Sequence, residues 1–389
     1  MKTVFQSILF LFFGVACLAQ TIPVDSLFLG QSPPNNNPKI FQLSVTPGFF
    51  AAERIAISND GKCIYYTEQN GYEANSITRS KYYRYDHNKW NGPFILFEGY
   101  GCISFSMTGD SLFSQKGTNA YYSLKSGTSW TAPKRMLTKI NSAHYLQVTD
   151  KGNYYSCSRT KASTGNGEWC KLMINAADTI PVSLGYPLNS NLHERWDFYD
   201  FSVSRDESFM IIAKAIPGAI GRPLLISYHN TDGSWTNPKS LGNLINRAYL
   251  WGTYITSDNK YLFYSYTTTG NYSDCFIHWV RIDNLVDSLK KTNFEPYLKN
   301  QPIDQVATVG KEFSYTIPDS SFVDDDGNNT LTYSAALSNS NTLPEWLHFD
   351  PKTKLFSGTP GEVGNLIIKV IAMDSLKAFA ECTFQLSIR

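Results

Sequence analysis

The chain has 389 residues, a net charge of +1 and 14% aromatic residues. A charge this close to zero argues against capture of nucleic acid or of an anionic membrane surface by bulk electrostatics, so neither is an expected partner. Tyr and Phe are equally abundant at 24 each, a balance that suits strands with one packed and one wet side.

Met1-Lys2-Thr3 precedes an apolar, Phe-rich stretch over residues 8–19 that ends in Ala16-Cys17-Leu18-Ala19-Gln20. One basic residue, a short apolar core and a small residue before a polar one predict a secretory signal peptide over 1–19, cleaved after Ala19. The stretch is too short to remain as a spanning helix. Gly14-Val15-Ala16-Cys17 also reads as a lipoprotein box, and a lipid on Cys17 would be the sole membrane contact of an otherwise exported, secreted or periplasmic, protein. Export permits disulfides, but the cysteines are too sparse for a stapling framework. Cys157 and Cys170 flank a Gly- and Ser-rich segment and are the expected pair, while Cys63, Cys102, Cys275 and Cys382 lie in strand-like runs as small buried hydrophobes.

After an N-terminal extension over 20–37, a short phrase returns along the chain. It reads Ser58-Asn59-Asp60-Gly61-Lys62, Ser106-Met107-Thr108-Gly109-Asp110, Thr149-Asp150-Lys151-Gly152-Asn153, Ser204-Arg205-Asp206-Glu207-Ser208 and Ser257-Asp258-Asn259-Lys260-Tyr261, at spacings of 48, 43, 55 and 53 residues. Each copy follows an apolar alternating run and precedes an aromatic one. This period belongs to the blade of a β-propeller, a small sheet that cannot bury its faces alone. A second phrase, Trp then Pro then an apolar strand, recurs at Trp90-Asn91-Gly92-Pro93, Trp130-Thr131-Ala132-Pro133 and Trp235-Thr236-Asn237-Pro238, with a degraded copy around Trp169 and Pro181. Proline cannot donate into a central ladder, so this phrase marks the outermost strand.

The final repeat lacks that outer strand, and Pro38-Lys39-Ile40-Phe41 at the other end matches Pro133-Lys134-Arg135-Met136 and Pro238-Lys239-Ser240-Leu241. The early strand is therefore expected to complete the last blade and close the ring. The count is five blades over 38–298, with six as the alternative if a weak blade hides between Ser158 and Trp196. A short helix is expected over 284–291. Asn293-Phe294-Glu295-Pro296 and Asn300-Gln301-Pro302 then form a linker to a second domain over 299–389. Its runs at 306–309, 313–317, 331–335, 355–357, 366–372 and 379–388 predict an immunoglobulin-like β-sandwich, so the fold class is all-β.

The passages Ile57-Ser58-Asn59-Asp60-Gly61-Lys62-Cys63-Ile64-Tyr65-Tyr66 and Tyr228-His229-Asn230-Thr231-Asp232-Gly233-Ser234-Trp235 resemble the TolB-like family of WD-like propellers, over about residues 38–298. That family includes binding and scaffolding proteins, so the resemblance implies a fold more than an activity. In the last ninety or so residues, Val309-Gly310-Lys311-Glu312-Phe313-Ser314-Tyr315, Phe322-Val323-Asp324-Asp325-Asp326-Gly327, Leu343-Pro344-Glu345-Trp346, Phe356-Ser357-Gly358-Thr359-Pro360 and Ala372-Met373-Asp374 resemble the dystroglycan-type cadherin-like domain. This resemblance implies an adhesion or presentation module, some members of which bind calcium.

Calcium needs six to eight oxygens, and Asp324, Asp325 and Asp326 with Asp374 nearby would supply carboxylates for a weak site. Asp324, Asp326 and Asp374 are thus the candidate metal ligands, against the plainer reading of a solvated acidic turn. No organic cofactor is expected. The segments entering the inner strands should gather at one channel mouth, placing Glu53, Arg54, His144, Glu194, Arg195, Trp196, Asp197, Tyr199, Asp200, Arg247, Tyr249 and Trp251 together. Aromatic faces beside oriented charges suit a glycan or an extracellular polypeptide, whereas inter-blade packing is the competing use of the same residues.

Enzyme signatures are absent: there is no Gly-x-Ser-x-Gly, His-Glu-x-x-His or Cys-x-x-Cys, and Thr231-Asp232-Gly233-Ser234-Trp235 is too compressed for a sialidase Asp-box. The sequence reads as a non-catalytic binding or cell-surface interaction protein. The alternative is a glycoside hydrolase or lyase using Glu53, Glu194, Asp197 or Asp200, favoured if two of them face each other across an aromatic-lined pocket. A structural spacer in an envelope complex is a third reading.

Overall fold

The computed structural model describes residues 22–140, 142–160, 167–175, 178–189, 200–216, 218–339 and 342–389. The leader, with Cys17, lies outside them. No helix among the described residues is long and apolar enough to cross a membrane.

The repeat unit is a four-stranded antiparallel meander. In the first sheet it runs Phe50–Ile57, Cys63–Gln69, Thr78–Asp86 and Lys89–Glu98. Among the described residues, four further sheets repeat this order. The second begins at Gly101–Phe105 and carries an extra ribbon, Ser129–Trp130; the third begins at His144–Val148, the fourth at Phe201–Val203 and the fifth at Tyr249–Ile255. The first strands of the five sheets touch one another in a closed circle. That circle is the axis of a β-propeller.

The recurring phrase is the turn between first and second strands, and its chemistry explains its recurrence. Ser58 Oγ donates to Asp60 Oδ1 at 2.6 Å and accepts from the Cys63 N–H at 2.9 Å, closing the hairpin with side chains. Ser204 accepts from the Phe209 N–H at 3.1 Å in the same way. In the last sheet Thr256, not Ser257, takes this role: its hydroxyl donates to Asp258 at 2.6 Å and accepts from the Tyr261 N–H at 3.0 Å. The fifth copy therefore starts one residue earlier than the sequence suggests, because threonine supplies the hydroxyl as well as serine does.

Lys39–Ile40 pairs antiparallel with Phe276–Arg281, Lys39 opposite Trp279, and so provides the fourth strand of the last sheet. Phe41 follows, 1% exposed, packed edge-on against Phe263 and Trp279 at 5.2 Å each. The apolar core is divided among the gaps between successive sheets. Ile103 and Leu112 meet Tyr65 and Ala56 in one gap, and Phe201, Met210 and Ile212 meet Tyr155 and Trp169 in another.

This division corrects the disulfide expectation. Cys157 pairs with Trp169, and Cys170 with Ser156, so the two cysteines sit one position apart on neighbouring strands and face opposite sides of the sheet. Cys157 packs toward the fourth sheet and Cys170 toward the second; both are free thiols.

The helix Asp283–Lys290 leaves the fifth sheet, close to the expected 284–291. Beyond it, Gln305–Ala307, Phe379–Ile388, Gly364–Met373 and Thr332–Leu337 form one sheet, facing the three-stranded sheet of Phe313–Thr316, Leu355–Gly358 and Leu347–Asp350. Phe356, Ile368, Val370 and Leu386 fill the space between them with no exposed surface. The sequence missed Leu347–Asp350 as well as the short pair Tyr297–Leu298 and Phe322–Val323. The last two are only two residues long, too brief to show an alternating pattern.

Candidate functional site

Three of the inner strands carry the same irregularity, two residues set against one on the neighbouring strand. The extra pairs begin at Cys102, Tyr145 and Gly252, which have φ of 53°, 54° and 64°. The first sheet has a wider version, with Glu53, Arg54 and Ile55 between paired Ala52 and Ala56, and Glu53 at φ 65°. A bulge with a left-handed residue re-aims its side chain, as at Glu53, Cys102 and Tyr145, which line the axial cavity. Asp200 stands four residues before its phrase serine in the fourth sheet, as Cys102 and Tyr145 do before their own phrase residues.

Glu53, Cys102, Tyr145 and Asp200 form the floor of a cavity of about 770 Å³ at one mouth of the propeller. Glu53 accepts a hydrogen bond from the Tyr145 hydroxyl, and the Cys102 thiol donates to the same carboxylate oxygen at 3.6 Å. Asp200 accepts from the Gly252 N–H and interacts with Tyr145 as well. Burial, then the charge on Glu53, pushes the Asp200 carboxyl up to about 7, against the opposing pull of the Gly252 N–H. Burial, followed by the Arg54 charge, pushes His144 down to about 4 and keeps its ring neutral at physiological pH.

Arg54 lies directly beneath. Its guanidinium is fully buried and donates to the carbonyls of Thr253 at 3.1 Å, Tyr145 at 3.2 Å and Phe201, tying together the first, third, fourth and fifth sheets. It is stacked 5.0 Å from the centre of the Tyr145 ring. Arg54 therefore closes the floor from below and is not a lining residue of the cavity. On the far face, Arg205 bonds Asp150 at 2.7 Å, Asn59 at 2.7 Å and the Met107 carbonyl at 3.3 Å, crossing the axis between four sheets.

The wall is aromatic. Tyr72, Trp251 and Tyr272 form a cluster with ring centres 4.7 to 6.4 Å apart, and Phe50 stacks on Tyr272 at 5.2 Å. Gln69 is 4% exposed, and among the described residues neither its Nε2 nor Trp251 Nε1 has a hydrogen-bond partner. Both residues line the cavity.

Of the expected ligand-binding residues, Glu53, His144, Asp200, Tyr249 and Trp251 line this one cavity. Arg247 does not; it is exposed on the approach to the fifth sheet. Glu194, Arg195, Trp196, Asp197 and Tyr199 lie outside the described residues. Sequence reasoning missed Gln69, Tyr72 and Tyr272, which come from the far ends of second strands and the loops after them, where no repeated phrase points. The signal available was the loop Asn70-Gly71-Tyr72, a glycine turn beside a lone aromatic.

The acidic turn of the sandwich has a different setting. Asp325 accepts from the Asn237 N–H at 2.6 Å, Asp326 from the Phe294 N–H at 2.6 Å, and Asp374 from Asn293 Nδ2 at 2.7 Å. All three donors belong to the propeller rim or the linker. Asp324 accepts from the Asp326 N–H at 2.8 Å, and Asp374 also holds its own hairpin through the N–H groups of Leu376 and Ala378. Among the described residues no group of three or more His, Cys, Asp or Glu side chains could hold a metal ion. Each of these carboxylates already accepts at least one N–H hydrogen bond.

The family model described as "Putative Ig domain" matches residues 295–389. No curated protein matches the sequence. Among solved structures, a Bacteroides fragilis chain described as a "putative alpha-galactosidase" is 21% identical with a TM-score of 0.20, covering 24% of this chain and 18% of its own length. TolB from Acinetobacter baumannii is 15% identical with a TM-score of 0.35, covering 59% of this chain and 54% of its own. The extracellular domain of a "putative hybrid two component system" from B. thetaiotaomicron is 11% identical with a TM-score of 0.36, covering 90% and 46%. The chain thus spans from about a fifth to about half the length of these structures. The fold is a propeller by its own sheet topology, and its C-terminal domain is immunoglobulin-like by family match and by topology.

Proposed function

We propose that this is an exported, non-catalytic binding protein, a five-bladed propeller whose axial cavity receives a glycan or an extracellular polypeptide, with the cadherin-like sandwich as its presenting module. The observation that carries the reading is the cavity itself: about 770 Å³, aromatic on one wall, with the donors Gln69 Nε2 and Trp251 Nε1 unpartnered among the described residues. A buried donor without an acceptor is costly, and a ligand oxygen would remove that cost. The test is a glycan and peptide array with the mature protein, repeated with Trp251→Ala and Tyr72→Ala. The reading expects both variants to lose at least ten-fold in affinity for whatever the parent binds; unchanged binding by both would overturn it.

A second reading, hydrolysis of a glycosidic bond, is favoured by one observation, the proton that Asp200 holds near neutrality beside Glu53. Against it, both carboxyl groups are already engaged by the Tyr145 hydroxyl. Sugar release from an oligosaccharide panel, abolished by Glu53→Gln, would establish it.

Calcium is the alternative role for Asp324, Asp326 and Asp374. A rise in melting temperature with millimolar calcium, reversed by chelator, would support it, since a ligand selective for the folded state must raise that temperature.

A further inference from the structure

We infer that the cavity takes the amino-terminal end of a polypeptide, with the terminal ammonium group over Glu53 and Asp200 and the first carbonyl oxygens against Gln69 and Trp251. This rests on the binding reading above.

Four observations converge on it. First, Glu53 and Asp200 are both buried at the floor, and among the described residues no lysine, arginine or histidine nitrogen lies within 4.0 Å of either carboxylate. The one guanidinium below them spends its donors on three main-chain carbonyls. A cation entering from the mouth therefore meets two carboxyl groups that have no salt bridge among the described residues, only the longer-range charge of Arg54 beneath them. Second, the adjoining wall is the Tyr72, Trp251 and Tyr272 cluster, and aromatic rings attract an ammonium through their quadrupoles.

Third, the unpartnered groups beside this pair are donors only: Gln69 Nε2, in a side chain almost wholly withdrawn from solvent, and Trp251 Nε1. They call for acceptor oxygens, which the carbonyls of a peptide supply one per residue; the sugar probes below test hydroxyl oxygens in the same role. Fourth, Arg54 closes the floor from below, so the tip of an entering chain meets the acid pair at a blind end. A polypeptide amino terminus is the group that offers a cation at the tip and carbonyl acceptors one residue behind it. Farther out, Lys116 and Arg222 line the rim, where they meet later parts of the ligand.

The test uses isothermal calorimetry of the mature protein with four probes: a hexapeptide of uncharged side chains with a free amino terminus, the same peptide acetylated, a glucosamine hexamer and an N-acetylglucosamine hexamer. The inference expects the free peptide to bind at least ten-fold tighter than the acetylated one. That preference should vanish in Glu53→Gln, and Gln69→Leu should weaken the free peptide several-fold in a protein that melts as the parent does. If Glu53→Gln fails to fold, the Gln69→Leu result alone carries the decision. Equal binding of the two peptides, or amine dependence seen only with the glucosamine hexamer, would overturn the inference. Binding of the N-acetylglucosamine hexamer alone, weakened by Trp251→Ala, would overturn it while leaving the binding reading intact. No binding of any probe to the folded parent would also overturn it.

Discussion

Asp200 faces Glu53 and Arg54 from the first sheet, Tyr145 from the third and the Gly252 N–H from the fifth. Its carboxyl titrates near 7 in the folded protein and near 4 in an unfolded chain. The folded state thus holds the proton more tightly, so the associated stability is complete below pH 4 and is lost as pH rises through about 7. Asp200→Asn removes that loss while keeping an oxygen for the Gly252 N–H. The variant should melt within a degree or so of the parent near pH 4 and several degrees above it at pH 8; parallel pH profiles by calorimetry would contradict this. Gly252 itself admits no side chain. A Cβ there would lie 2.4 Å from the Glu53 carbonyl carbon, so the floor can form only where the fifth inner strand offers bare backbone to the first.

Among the elements, the hairpin turns and the outer strands were legible because each is built from a local chemical device, a hydroxyl that closes a turn or a proline that ends a ladder. The ring closure was legible for the same reason, since Pro38-Lys39-Ile40-Phe41 carries the outer-strand pattern out of place. The bulges were not. Cys102, Tyr145 and Glu53 occupy a left-handed conformation that glycine favours, and nothing local in their sequence asks for it; the ring of neighbouring strands imposes it. Nor could sequence place Gln69, Tyr72 or Tyr272, whose convergence depends on the radial stacking of sheets distant in the chain. The closing strand carries a clear energetic expectation. Phe41 is buried against Phe263 and Trp279, and Phe41→Ala should cost about 3–5 kcal/mol, read from urea unfolding of the propeller. A loss below 1 kcal/mol would mean that this strand is not part of the cooperative unit.

At the scale of the whole molecule, the two domains meet through carboxylates as well as through the Tyr186–Tyr297 ring contact at 5.4 Å. Asp325 and Asp326 reach across to the main chain at Asn237 and Phe294, and Lys239 stands 3.0 Å above the Phe294 ring, its pKa lowered to about 8 first by burial. Joint replacement Asp325→Ala and Asp326→Ala should leave both domains folded but split a single thermal transition into two and expose the linker over 293–300 to protease. One transition at the parent temperature, with no new cleavage, would show that the clasp does not couple them.

The pairing of Lys39–Ile40 with Phe276–Arg281 also sets an order of events as the polypeptide is made. The first strand produced has no partner until more than two hundred further residues have appeared, and loop closure over such a separation is slow. Until then the nascent protein carries two raw sheet edges, each able to recruit a strand from another copy. Its hazard is therefore concentrated in the interval before the ends meet, and swapped dimers sharing this one strand are the misassembled species to look for when it is refolded at high concentration.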